Sequence, residues 1–146
     1  MNNYDSSEYY QNQALALFTE IDHPYGKSLA KERLGQIYLN KNQFLEALKY
    51  YYLALQINQA NGFEWEEATS LYHIGITQFF LSNYQQAVEY MLRSLKYWEK
   101  INNRPNIWNC NELIGNIYIQ IKDFDKALQY HRIALAIQKK TLIQSN

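Results

Sequence analysis

Gly35, Gly75 and Gly115 stand forty residues apart. A chain that repeats itself at such an interval folds as like units stacked in sequence, because each unit closes a core only against its neighbours. The surrounding residues keep the same ruler: Leu34/Ile74/Ile114, Phe44/Tyr84/Phe124, Ala47/Ala87/Ala127, Ala54/Ser94/Ala134 and Leu55/Leu95/Leu135 fall into register. Tyr10, Tyr50, Tyr90 and Tyr130 form a further column, and Ala14 and Leu15 precede Ala54 and Leu55 by the same step. A partial fourth copy therefore opens the chain.

Within each copy the apolar spacing is helical. Phe44, Ala47, Leu48, Tyr51, Ala54 and Leu55 recur in steps of three and four, as do Ala30, Leu34, Ile37 and Tyr38, and the polar Asn40-Lys41-Asn42 separates the two stretches. Each copy is thus a helical hairpin. Ser82-Asn83-Tyr84-Gln85 reads as a capping box and Asp123 as a cap of the matching helix, while Pro24 and Pro105 stand where a first helix starts and a missing N–H costs little. The pattern predicts seven helices over 6–20, 25–40, 43–60, 64–80, 83–101, 105–120 and 123–142. They group into one domain spanning 1–146: a half repeat (6–24), full repeats over 25–62, 63–103 and 104–142, and a tail at 143–146. Glycine inside a helix costs about 1 kcal/mol relative to alanine, so three in register imply close helix crossings, with Ala47, Ala87 and Ala127 as the expected opposing surfaces. The tyrosine columns are expected to be core.

Composition removes several classes of function. Fourteen basic and fourteen acidic residues give a formal net charge of zero, which disfavours a generic nucleic-acid or anionic-membrane binder. An apolar fraction of 47% excludes wholesale disorder, while a mean hydropathy of −0.50 and the lack of a long apolar run exclude a membrane span. His23, His73 and His131 are too scattered for a metal site, and no phosphate loop, nucleophile elbow or Cys-His dyad is visible. Cys110, the single cysteine, reads as a small packed residue. The expectation is a non-enzymatic protein with no cofactor and no metal. The polar Met1 to Glu8 stretch lacks the features of a signal peptide, which points to the cytoplasm.

Leu34-Gly35-Gln36-Ile37-Tyr38 with Phe44, Ala47 and Ala54, and Ile114-Gly115-Asn116-Ile117-Tyr118 with Phe124, Ala127 and Ala134, resemble the tetratricopeptide (TPR) consensus. Two features depart from it: the period is forty instead of thirty-four, and the consensus tryptophan position holds Lys31, Leu71 and Asn111. The closing proline is also absent, with Gln59, Glu99 and Lys139 near that point. Forty-residue repeats of this kind resemble those of bacterial peptide-pheromone sensors, spindle-orientation adaptors, kinesin light chains and arrays preceding bacterial signalling domains. The resemblance implies an all-α, right-handed α-solenoid whose first helices line a concave groove.

Carried over by position, the groove-facing residues are Leu29, Glu32, Arg33, Gln36, Leu39 and Asn40 in the first full copy, then Thr69, Tyr72, His73, Ile76, Phe79 and Phe80 in the second. The third supplies Asn109, Glu112, Leu113, Asn116, Ile119 and Gln120. Amides at Gln36, Asn109 and Asn116 can serve both the N–H and the C=O of an extended ligand, and Tyr72, Phe79 and Phe80 offer apolar anchorage. Glu32, Gln36, His73, Asn109 and Leu113 occupy the places where TPR domains that clamp a terminal carboxylate resemble one another in basic and Asn residues, so that clamp is missing. The expected function is capture of a protein or peptide, within a segment of a larger bacterial signalling or regulatory protein. The alternative is a structural array that forms homodimers through uncapped terminal helices, where Tyr130, Ala134, Ile137 and Leu142 present a face for another helix.

Overall fold

A computed structural model describes residues 3–144, with side chains over 4–139. The expected packing of Leu142 and the 143–146 tail lie outside the described residues. Among those described there are seven helices: α1 (Asn3–Glu20), α2 (Pro24–Asn40), α3 (Phe44–Asn61), α4 (Glu64–Phe80), α5 (Tyr84–Lys100), α6 (Arg104–Ile121) and α7 (Phe124–Gln144). Each packs on its sequence neighbour, and the most intimate contact between non-consecutive helices joins α4 to α6. First helices therefore lie on the inside of the curve and second helices outside, as in a solenoid of stacked hairpins.

The backbone keeps a finer ruler than the side chains do. Left-handed residues occur at Asp22, Asn42, Gly62, Ser82, Asn102 and Lys122, one every twenty positions. Beyond each, an N–H reaches back five residues to the carbonyl of Phe18, Tyr38, Asn58, Gln78, Trp98 or Tyr118. This is the Schellman closure, which satisfies the orphan carbonyls of a helix end. The first six helices thus stop by the same device.

Three local expectations change. Ser82 is not a cap: its positive φ makes it the left-handed turn residue, and Asn83, whose side chain donates to Gln78, stands at the helix start. Asp123 does cap α7 by accepting from the Lys126 N–H, and His23 and Asn103 cap α2 and α6, where Pro24 and Pro105 fill the first turns. The glycines press hardest one turn beyond the alanine column, although Gly75 also meets it, with the Ala87 carbonyl oxygen 3.3 Å from where a Cβ would stand. A Cβ on Gly35, Gly75 or Gly115 would strike Tyr51, Met91 or His131, one helical turn further along the partner helix than Ala47, Ala87 and Ala127. The tyrosine columns are not core either. Tyr10 is exposed, Tyr50, Tyr90 and Tyr130 are half-buried, and Tyr51, between columns, is completely buried. Tyr38 stacks on Tyr50 and Tyr118 on Tyr130, so the columns serve as flat flanks between helices rather than as their centre.

Candidate functional site

The inner face is opened by a hollow of about 350 Å³ between α2 and α4. It gathers Leu29, Glu32, Arg33 and Gln36 from the first helix of one repeat and Thr69 and His73 from the next, all six expected from the sequence. Tyr25, Ser28, Trp65 and Glu66 also line it and were not expected. Tyr25 and Trp65 share one register column and open their helices beside the turns, so two aromatics forty apart near a helix start were the signal available.

Beneath this hollow runs a buried polar relay. Ser28 Oγ donates to Asn58 Oδ1 at 2.5 Å, Asn58 Nδ2 donates to Ser70 Oγ at 3.0 Å, and Ser70 Oγ donates to Glu32 Oε1. The other oxygen of Glu32 lies 2.8 Å from His73 Nδ1, and the His73 ring stacks on Tyr51. Serine, carboxylate and imidazole are thus adjacent, but the carboxylate sits in the middle. A nucleophile needs the imidazole next to its hydroxyl, and Ser70 is fully buried. The relay holds α2, α3 and α4 together and engages both oxygens of Glu32 in the wall of the hollow.

The remaining expected residues divide. Arg33 is exposed and Gln36 half-buried; the Gln36 amide donates to Asn40 Oδ1 at 3.0 Å, four residues on. Thr69 spends its hydroxyl on the carbonyl of Trp65. Tyr72, Ile76, Phe79 and Leu113 pack against the buried cluster of Met91, Cys110, Ile114 and Ile117. Burial raises the Tyr72 phenol above its ordinary range, so its area closes the seam between the second and third repeats. Leu39 does the same in the first. Phe80 is exposed and stacks on Phe44. On α6, Glu112 faces His131 of α7 at 3.3 Å, Asn109 lines a separate hollow with Trp108 and Ile137, and Asn116, Ile119 and Gln120 are exposed. Among the described residues no three His, Cys, Asp or Glu side chains gather as a metal site, and no helix is long and apolar enough to cross a membrane.

The family model described as tetratricopeptide repeat matches residues 27–100 and again 66–140. This chain belongs to the tetratricopeptide repeat family. Its TPR hairpins superpose on solved structures at low identity: BtubC from P. vanneervenii (TM-score 0.89, 22% identical, 95% of this chain and 57% of that one) and the apo form of RapI (0.89, 21%, 94% and 50%). A Rap protein complexed with Competence and Sporulation Factor matches at a TM-score of 0.84 and 18% identity over 92% of this chain and 38% of that one. In sequence the chain is 26% identical over 102 residues to the transcriptional activator NprA of Geobacillus stearothermophilus, covering 69% of this chain and 25% of the activator. The TPR array therefore spans about half or less of the length of most of these relatives.

Proposed function

We propose that this TPR array is a non-catalytic peptide-binding module, one unit over 1–146, that takes an extended segment along the face of α2, α4 and α6. The observation that carries this is the hollow between α2 and α4, where six residues expected at the groove converge above a polar relay that fixes their backbone. A site pre-organised in this way spends little of its binding energy on ordering itself. The Rap relative is complexed with Competence and Sporulation Factor and NprA is a transcriptional activator, which supports a regulatory setting inside a cell. The test is selection of synthetic hexapeptides on the wild-type chain and on an Arg33→Ala/Gln36→Ala/Asn116→Ala variant. Capture should fall at least tenfold in the variant; equal capture by a folded variant overturns the proposal.

A second reading, self-association through the last helix, rests on one contrast. Leu48, Leu55 and Leu95 are 9%, 6% and 6% exposed where another first helix follows, whereas their column mates Leu128 and Leu135 on α7 are 50% and 48% exposed. Sedimentation should then show a dimer that Leu128→Glu/Leu135→Glu dissociates; a wild-type monomer at high concentration removes this reading.

A further inference from the structure

We infer that the end of the α2–α4 hollow between Tyr25 and Trp65 is a subsite for a basic side chain of the bound peptide, an arginine or lysine held over the aromatic faces against Glu66. This rests on the groove reading above and gives it a chemistry. Tyr25 and Trp65 are 42% and 47% exposed, unusual for large rings that are also held in place: Trp65 meets the buried Trp98 edge-on at 4.8 Å, and Tyr25 meets Phe63 edge-on at 5.5 Å. Their open faces are fixed in position before any ligand arrives.

Elsewhere the chain covers such faces itself. Lys41, Lys49, Arg93, Lys100 and Lys126 lie over Tyr38, Tyr50, Tyr90, Tyr97 and Tyr118. Among the described residues Tyr25 and Trp65 carry no such cation. A cation over an aromatic face is attracted by the ring quadrupole, most strongly over tryptophan. The carboxylates complete the case. Three acids occupy the first turn of α4, more than the roughly half charge of a helix end requires. Glu64 pairs with Lys100 and Glu67 accepts from Gln59, both toward the second helices. Glu66 lines the hollow instead, close enough to Tyr25 that its carboxylate raises the phenol above its ordinary range, and among the described residues it forms no ion pair. Glu32 is consumed by Ser70 and His73, so it adds no free acceptor. Arg33, the one cation of the lining, is rooted eight residues beyond Tyr25, about 12 Å along the helix at 1.5 Å per residue. Its backbone therefore stands about two helical turns from the aromatic end of the hollow.

The test uses the full chain and capped hexapeptide libraries in which one position is fixed as arginine, lysine, norleucine or glutamate and the others are random. Wild-type protein should retain the arginine and lysine libraries about tenfold better than norleucine and better still than glutamate. Glu66→Gln, nearly isosteric at a helix start, should bring arginine and norleucine within about twofold while the thermal melt stays unchanged. The inference is overturned if norleucine or glutamate wins, or if the arginine preference survives Glu66→Gln. Capture that depends on Arg33, Gln36 and Asn116 but ignores the fixed residue defeats this subsite and leaves the groove reading standing. Absence of any groove-dependent capture defeats both.

Discussion

Replacing Gly35 by alanine separates helix propensity from packing in this array. In an unobstructed helix the change is worth about 1 kcal/mol in favour of alanine. Here the new Cβ would lie 2.6, 2.7 and 2.9 Å from Cε1, Cδ1 and Cζ of Tyr51, against an ordinary carbon contact of about 3.5–4.0 Å. The ring has nowhere to retreat: it is completely buried and stacks on His73 at 5.0 Å, which in turn is bound to Glu32. Overpacking of this kind costs about 1–3 kcal/mol. With the rigid ring placing the cost in the upper half of that range, the net destabilisation is about 1–2 kcal/mol, or roughly 3–8 °C in Tm for a domain of this size. The control is Gly75→Ala, whose nearest obstacle is the flexible end of Met91, Cε at 2.6 Å. Met91 is buried and its Cγ (3.1 Å) and the Ala87 carbonyl oxygen (3.3 Å) are also close, so Gly75→Ala should be destabilised less than Gly35→Ala, the flexible thioether yielding where the ring cannot. Urea unfolding followed by circular dichroism measures both, and Gly35→Ala combined with Tyr51→Leu should couple favourably, as contacting sites do. A Gly35→Ala protein as stable as wild type, or more so, would refute the claim that ring packing dictates this glycine.

Ser82→Gly and Lys122→Gly should each raise stability by about 0.5–1 kcal/mol, since both residues hold a positive φ that glycine adopts freely; a fall in Tm for either contradicts the turn assignment. Glu8 bonds Lys41 at 2.7 Å and the Tyr38 hydroxyl at 2.5 Å, and the Lys41 bond first, then Tyr38, holds its carboxyl below the ordinary value of 4.5. Because the folded value is the lower one, this clamp of α1 on α2 is complete above pH 4.5 and is lost as pH falls through the folded value. Hydrogen-exchange protection of residues 3–20 should drop over that acid range in wild type, and Glu8→Gln should flatten the pH dependence. Burial pushes the Cys110 thiol up to about 12, so a disulfide reagent at about pH 8 should modify it only as fast as the chain opens; prompt reaction of the native protein would show that the thiol is accessible.

The forty-residue columns were enough to place all seven helices, because apolar spacing reports which face is buried whatever the neighbour is. The largest displaced boundary is the start of α1, at Asn3 instead of residue 6, where polar residues carry no apolar rhythm. The twenty-residue pitch of the turns was hidden, since Asp22, Asn42, Gly62, Ser82, Asn102 and Lys122 share a backbone angle but hardly a side chain. The tightest neighbour of each glycine lies one turn beyond the expected alanine, a distance that spacing on a single helix cannot resolve when both candidates lie on the same stripe. At the groove, the sequence singled out positions on the first helices but could not tell which of them are already engaged. Glu32 and Tyr72 share a column, yet one is tied to His73 and the other closes a seam. Ser28, Asn58 and Ser70 belong to three different columns, so their meeting was invisible until the helices were stacked.

The relay also makes the two junctions between full repeats mechanically unequal. Between the first two repeats the contact is threaded by hydrogen bonds from Ser28 to His73, which break if the helices rotate or slide by even an ångström. Between the second and third it consists largely of Met91, Cys110, Ile114 and Ile117 with half-buried Tyr72 and Leu113, beside a long Cys110 Sγ–Ser94 Oγ contact of 4.0 Å, and such non-directional contacts weaken gradually with displacement. The first junction behaves as a weld and the second as a bearing. A pull on the two ends would open the array at the seam beside Cys110 while the α2–α4 hollow kept its shape.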